Sequence, residues 1–160
     1  MQEIRSIMVA VDFSPYSLPS LKYAASLARR IDATLVVVNA INQRDIYAIE
    51  KVIAETSLDA YENIVQEKHQ ARIARLDALV HEAGAGERVR VKIVRVGVPY
   101  QVLLDVIKEE QPDLLIMGTK GRTGLADAII GSCAHKMYRR SPIPLLSLRP
   151  QNLPNEAETT

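Results

Sequence analysis

The stretch from Leu114 to Ser132 (LLIMGTKGRTGLADAIIGS) constrains this chain more than any other. Leu114 to Met117 are apolar on consecutive positions and read as a short buried strand. Gly118, Gly121 and Gly124 punctuate the loop that follows, and after Gly131-Ser132 the pattern turns helical. A buried strand that ends in a glycine-bearing loop and feeds a helix start is a natural anion site. The glycines let the backbone approach a phosphate closely, and the free N–H groups of the first helical turn point at it. Gly124 is the more ordinary turn glycine of the set. The rest of the chain has to supply a platform for this loop.

The order of elements does so. Residues 4–12 (IRSIMVAVD) are almost wholly apolar from Ile7 to Val11, the mark of a strand covered on both faces, as in a parallel sheet. An amphipathic helix follows a loose turn at 14–17 and starts near Ser17. Its stripe is Leu18, Leu21, Ala25 and Ala28, widened by Ala24, Leu27 and Ile31, and Arg29 and Arg30 suit its C-terminal dipole. Residues 33–39 (ATLVVVN) predict a second buried strand, completing a right-handed β-α-β unit. Between 40 and 56, Ile46, Ile49 and Ile53 fit a short helix or a partly ordered loop. From Ser57 to Ala83 a long helix is expected, its first part projecting past the sheet, with Gly84 and Gly86 at its end.

Residues 88–96 (RVRVKIVRV) alternate, which places Val89, Val91 and Ile93 on a covered face and Arg88, Arg90 and Lys92 on a wetted one: an edge strand. Gly97-Val98-Pro99 opens a helix carrying Val102, Leu103, Val106 and Ile107. The fourth strand is Leu114–Met117, the next helix runs from Ser132 to Arg140, and Ile143 to Leu148 is a fifth strand with prolines suited to an edge. The succession β-α-β-α-β-α-β-α-β describes a single doubly wound α/β fold on a five-stranded parallel sheet. Residues 1–150 form the expected domain and 151–160 a flexible tail.

Several function classes fall away. A net charge of +1 exerts no overall pull on nucleic acid or on an anionic membrane, so anion binding has to be local. No apolar run approaches the roughly 18 residues of a membrane span. One cysteine, Cys133, excludes an internal disulfide framework; with no signal peptide in view, a cytoplasmic setting is expected. GxxxxGK[ST] is absent, and VDFSPYS after the first strand has no glycine for a GxGxxG turn, which argues against a P-loop NTPase and a standard NAD fold. His69, His81 and His135 lie far apart without acidic or cysteine partners, so neither a metal centre nor a Ser-His-Asp triad is expected.

What is present is Gly118-x2-Gly121-x9-Gly131-Ser132. With VAVDFS (Val9 to Ser14), Gly97-x-Pro99, PDLLIMGTKGRTGL (Pro112 to Leu125) and GSCAHKMYRRSPIPLLSL (Gly131 to Leu148), the chain resembles the universal stress protein family in its nucleotide-binding branch, over residues 3–149. The resemblance implies an adenine nucleotide alpha hydrolase-like fold of strand order 3-2-1-4-5. ATP would lie at the carboxyl ends of the first and fourth strands. Gly118 and Gly121 match positions along the triphosphate, and Gly131-Ser132 the positions that hold it at the helix start. Asp12 matches the adenosine-recognition position, its carboxylate accepting from ribose hydroxyls or the adenine amino group, and Ala10, Val38 and Met117 would wall the base. Lys120 and Arg122 would neutralise phosphate charge, with Mg²⁺ or Mn²⁺ bridging phosphate oxygens. Family members typically pair as homodimers through the fifth strand, here residues 143–148.

The residues themselves leave alternatives open. Asp12 can equally hold the 12–17 turn, and Lys120 and Arg122 can be solvated loop charges. Cys133 stands at a helix start, where a thiol pKa can fall; an inert residue lining the pocket is the preferred reading. Three functions compete: a nucleotide-dependent stress-response switch or scaffold that binds ATP, a slow ATPase, and a dimeric interaction module without nucleotide. No residue can be nominated as the base that activates water at a γ-phosphate, which ranks binding above catalysis. The ligand-side segment 40–60 is free either to cover the nucleotide or to recruit a protein partner.

Overall fold

The structure, a computed structural model, describes residues 3–53, 58–119 and 130–149. Five strands form one wholly parallel sheet: β1 (Ser6–Ala10), β2 (Thr34–Asn42), β3 (Val89–Gly97), β4 (Leu114–Gly118) and β5 (Leu145–Leu148). Their order is β3-β2-β1-β4-β5. Helices α1 (Ser17–Ile31), α2 (Gln43–Ile53) and α3 (Leu58–Glu82) belong to the crossovers from β1 to β2 and from β2 to β3. Helices α4 (Pro99–Glu110) and α5 (Ser132–Arg140) belong to those leading to β4 and β5.

Each consecutively apolar strand feeds two cores because successive side chains point to opposite faces. Ile7, Val9, Leu35, Val37, Leu114 and Ile116 pack with Leu21, Ala25 and Ala28 of α1 and Leu76 and Val80 of α3. Met8, Val36, Val38, Leu115 and Met117 pack with Val102, Leu103 and Val106 of α4 and Ala134 and Met137 of α5. Ile31, expected to widen the α1 stripe, is 39% exposed, because the helix ends there and turns through Asp32 at φ 56°.

Two strand bounds are revised and two helical expectations are sharpened. The second strand does not stop at Asn39 but continues to Asn42, because β3 pairs with it as far as Asn42 opposite Gly97. Of the ambiguous 40–56 stretch, residues 43–53 take the helical alternative as α2, with Ile46 buried in the α1–α3 core, and 54–56 lie outside the described residues. The first part of α3 is not bare, since Tyr61 and Val65 pack on the same core. The fifth strand is shorter than 143–148 and starts at Leu145. Before it the chain turns, with the Ser141 hydroxyl donating to the Ile143 carbonyl, and the Pro144 carbonyl accepts from the Leu115 amide.

The third strand is at the edge, as expected, but Val89 and Val91 do not share a face. The register shifts between Leu35 and Val36, so Leu35 lies opposite Val89 and Val36 opposite Val91. This bulge at Arg90 sends Val89 into the α1–α3 core, while Val91 and Ile93 enter the other. The strand's cations therefore reach both helix layers: Lys92 pairs with Asp77 of α3, whereas Arg90 and Arg95 pair with Glu110 and Glu109 of α4. There is no single wetted face.

Gly84, at φ 61°, ends the α3 region in the left-handed conformation that glycine adopts without strain. Gly97 is needed for space: a Cβ there would lie 2.8 Å from Val102 Cγ2, the side chain of the helix that follows. Gly97→Val should accordingly destabilise the protein by about 1–3 kcal/mol through overpacking. Gly86→Ala, whose Cβ would meet nothing within 4 Å, should leave the urea midpoint almost unchanged.

Candidate functional site

The strand order brings chain reversals together at one place. From β1 the chain crosses to β2 on one side, while β4 lies on the other side and continues to β5, so the segments leaving β1 and β4 diverge. Open α/β sheets hold ligands at such a switch point, beyond the carboxyl ends of the strands. Here a cavity of about 350 Å³ opens between those ends, α1, α4 and α5.

One wall begins with Asp12. The Val11 amide still donates to the Val38 carbonyl at 2.9 Å, and the buried Asn39 amide nitrogen donates to the Val11 carbonyl at 2.8 Å, fixing where β1 releases the chain. Phe13 then takes φ 59°, a left-handed turn, and Arg75 of α3 lies 4.3 Å from its ring centroid. Within that turn Asp12 Oδ1 accepts from the Ser14 amide and from the Ser17 hydroxyl, both at 3.0 Å. Ser17 Oγ in turn accepts from the Asp12 amide at 3.1 Å. Asp12 Oδ2 has no hydrogen-bond partner among the described residues. The turn reading of Asp12 is therefore met through Oδ1, and the residue also lines the cavity.

The opposite wall is the start of α5. Thr119 is tied to β5 by its amide and hydroxyl, which donate to the Leu148 carbonyl at 3.0 and 3.2 Å. Its own carbonyl accepts from the Gly131 amide at 2.6 Å, joining the end of β4 to the start of α5. Gly131 caps α5 in an extended conformation without any side-chain cap, and the first intrahelical bond is His135 N–H to the Gly131 carbonyl at 2.9 Å. The amides of Ser132, Cys133 and Ala134 consequently have no helical acceptor, and all three residues line the cavity. With the helix dipole behind them, they favour a negatively charged group.

Between these walls, Ala10, Val38, Met117 and Leu103 form an apolar flank. Of the residues singled out from sequence, Ala10, Asp12, Val38, Met117, Gly118, Gly131, Ser132 and Cys133 all line this one cavity. Lys120, Gly121 and Arg122, with Gly124, lie outside the described residues. Sequence reasoning passed over Asn39, Ser14, Ser17, Ser20, Thr119, Asn42 and Asp45. Two signals were readable: a polar asparagine inside a buried strand, and serines spaced by three at 14, 17 and 20.

This combination of β1 turn, β4 exit and uncapped α5 falls within a recognisable sequence pattern: the universal stress protein family matches residues 3–149. The chain belongs to that family. A universal stress protein of Methanocaldococcus jannaschii is 24% identical over 145 residues, covering 91% of this chain and 82% of its own. A solved structure published as a structure-based functional assignment of a hypothetical protein superposes with a TM-score of 0.73 at 22% identity, covering 95% of this chain and all of its own. A universal stress protein solved in complex with cAMP gives a TM-score of 0.60 at 21% identity, over 92% of this chain and 98% of its own. At these identities the structural likenesses establish the fold, including the 3-2-1-4-5 order.

Cys133 behaves differently from a thiol activated at a helix start. Burial, reinforced by the nearby Asp12 carboxylate, pushes its pKa from an ordinary 9.0 up to about 11, while Lys136 pulls the other way. Desolvation of the thiolate outweighs the helix dipole. At pH 8 such a thiol holds about a hundredth of the thiolate of an unshifted one, since each pKa unit is a factor of about ten. Alkylation of the native protein by iodoacetamide at pH 8, followed by mass spectrometry, should be slower by about that factor than in the unfolded chain.

Proposed function

We propose that the cavity holds an adenine nucleotide, ATP in the first place, and that the protein acts as a nucleotide-dependent switch or scaffold in stress response. One observation carries the reading: Asp12, whose second carboxylate oxygen has no partner among the described residues, lines the same cavity as the residues of the first α5 turn, whose three amides have no helical acceptor. A carboxylate accepts hydrogen bonds from sugar hydroxyls, and a helix N-terminus takes a phosphate. The apolar flank of Ala10, Val38, Met117 and Leu103 suits a base, and about 350 Å³ falls within the roughly 300–1,000 Å³ of small-molecule clefts. That a relative of this fold was solved with cAMP supports a purine nucleotide. Gly118 and Gly131-Ser132 would follow the phosphates, joined by Lys120, Gly121 and Arg122, which come directly after Thr119 in sequence.

No group of three or more histidine, cysteine, aspartate or glutamate side chains that could hold a metal occurs among the described residues. A Mg²⁺ or Mn²⁺ ion would therefore be held chiefly by the phosphate oxygens of the nucleotide, hard ligands of the kind such ions prefer. Binding is favoured over turnover. Asp12 spends one oxygen on its own turn, and the other stands where a sugar is expected. We further propose a homodimer through the edge formed by β5, where Leu145, Leu146 and Leu148 are only half-covered and the strand has an unpaired side. No helix among the described residues is long and apolar enough to cross a membrane, and a cytoplasmic setting fits a lone free cysteine.

Titration calorimetry with Mg-ATP should give saturable one-to-one binding. Asp12→Asn keeps the oxygen that accepts in the turn and removes the charge, so affinity should fall about tenfold to a hundredfold, the range of a hydrogen bond to a charged group. Absence of binding at millimolar nucleotide would sink the proposal. In sedimentation, Leu146→Glu should convert dimers to monomers; an unchanged dimer places the interface elsewhere.

A further inference from the structure

The cavity is polar at both ends and apolar in the middle, and its far end is built by a feature specific to β2. Strand β1 ends at Ala10, opposite Val38, but β2 runs on to Asn42 because β3 pairs with it as far as Gly97. At about 3.3 Å per residue, the four residues beyond Val38 overhang the end of β1 by about 13 Å. Side chains alternate, so Ala40 and Asn42 share the face of Val38 and continue the cavity wall away from α5. At Asn42 the chain enters α2 without a loop. The Asn42 Oδ1 accepts from the Arg44 amide at 3.1 Å, and Ile46, 3% exposed, anchors the first turn in the core. Asp45, between these two fixed points, is half-buried and lines the cavity.

If the phosphates lie at α5 and the sugar at Asp12, the base extends beneath the overhang towards Asp45. We propose that Asp45 is a base-specificity residue, whose carboxylate accepts a hydrogen bond from the exocyclic 6-amino group of the purine and rejects a purine carrying a 6-oxo group. This rests on the adenine-nucleotide reading above. Adenine presents an N6 donor where guanine and hypoxanthine present an O6 acceptor. A carboxylate only accepts, so it attracts the first and repels the second. Asp45 also interacts within the protein, but its two oxygens offer about four lone-pair positions, enough to serve both. The tether at Asn42 and the anchor at Ile46 hold it in place, which makes the discrimination geometric rather than merely electrostatic.

The test compares ATP with inosine triphosphate, which differs at the 6-position in its 6-oxo, N1-protonated form, by calorimetry on the full chain and on two variants. The intact protein should bind ATP at least about tenfold tighter than inosine triphosphate, since a site built around a donor discriminates against an analogue lacking it. Asp45→Ala should bring the two affinities to within about threefold, chiefly by weakening ATP. Asp45→Asn retains the size of the side chain and adds an N–H donor that can serve the 6-oxo group. It should therefore tighten inosine triphosphate binding about threefold or more. An unchanged ATP preference in both variants, each verified as folded by circular dichroism, would overturn the specificity role while leaving nucleotide binding intact. Failure of the intact protein to bind either nucleotide would overturn both proposals together. Equal binding of the two by the intact protein would overturn the specificity role alone.

Discussion

At the carboxyl ends of β1 and β4 the chain is forced to leave in opposite directions, because the crossovers from β1 and β2 lie over one face of the sheet and those from β3 and β4 over the other. The divergence opens a cleft that no side chain of the sheet fills. Every feature of the site depends on it. Asp12 is the second residue after β1, Thr119 the first after β4, and α5 returns to the same point through the 2.6 Å link between Gly131 and Thr119. Two strands buried on both faces leave the cleft little freedom to change shape, so its polar groups are held before any ligand arrives.

Those polar groups are economical. Asp12 shapes its own turn through one oxygen while lining the cavity, so a single residue belongs to both the turn and the cavity wall. At the other wall, the uncapped helix leaves amides without acceptors, and such amides are potential donors to an anion. Cys133 shows the limit of that argument. It stands among the same donors, yet burial and the facing Asp12 carboxylate outweigh the helix start and keep its thiol protonated.

The bulge in β3 and the overhang of β2 are linked. By shifting register at Arg90, β3 places Val89 and Val91 into different cores and continues alongside β2 to Gly97. It thereby supports the four residues of β2 that pass the end of β1. Those residues lengthen the cavity and deliver Asn42 and Asp45 to its far end. The edge cations, paired with carboxylates of both α3 and α4, stitch this outer strand to the helices on either side.

The sequence by itself determined the element order, the parallel sheet, the family resemblance and most of the cavity wall around Ala10, Asp12, Val38, Met117 and Gly131-Ser132. Consecutive apolar runs can be buried only between two layers, and glycines spaced before a helix start carry their meaning locally. It left the 40–56 segment ambiguous, drew Val89 and Val91 onto one face and ended β2 three residues early. Each of these turned on a partner distant in the chain: Ile46 on the α1–α3 core, the bulge on the register with Leu35 and Val36, and Asn42 on Gly97. Periodicity reports which face of a segment is apolar, but not where its neighbour stops. That decision belongs to pairing and packing, and only the tertiary structure made it.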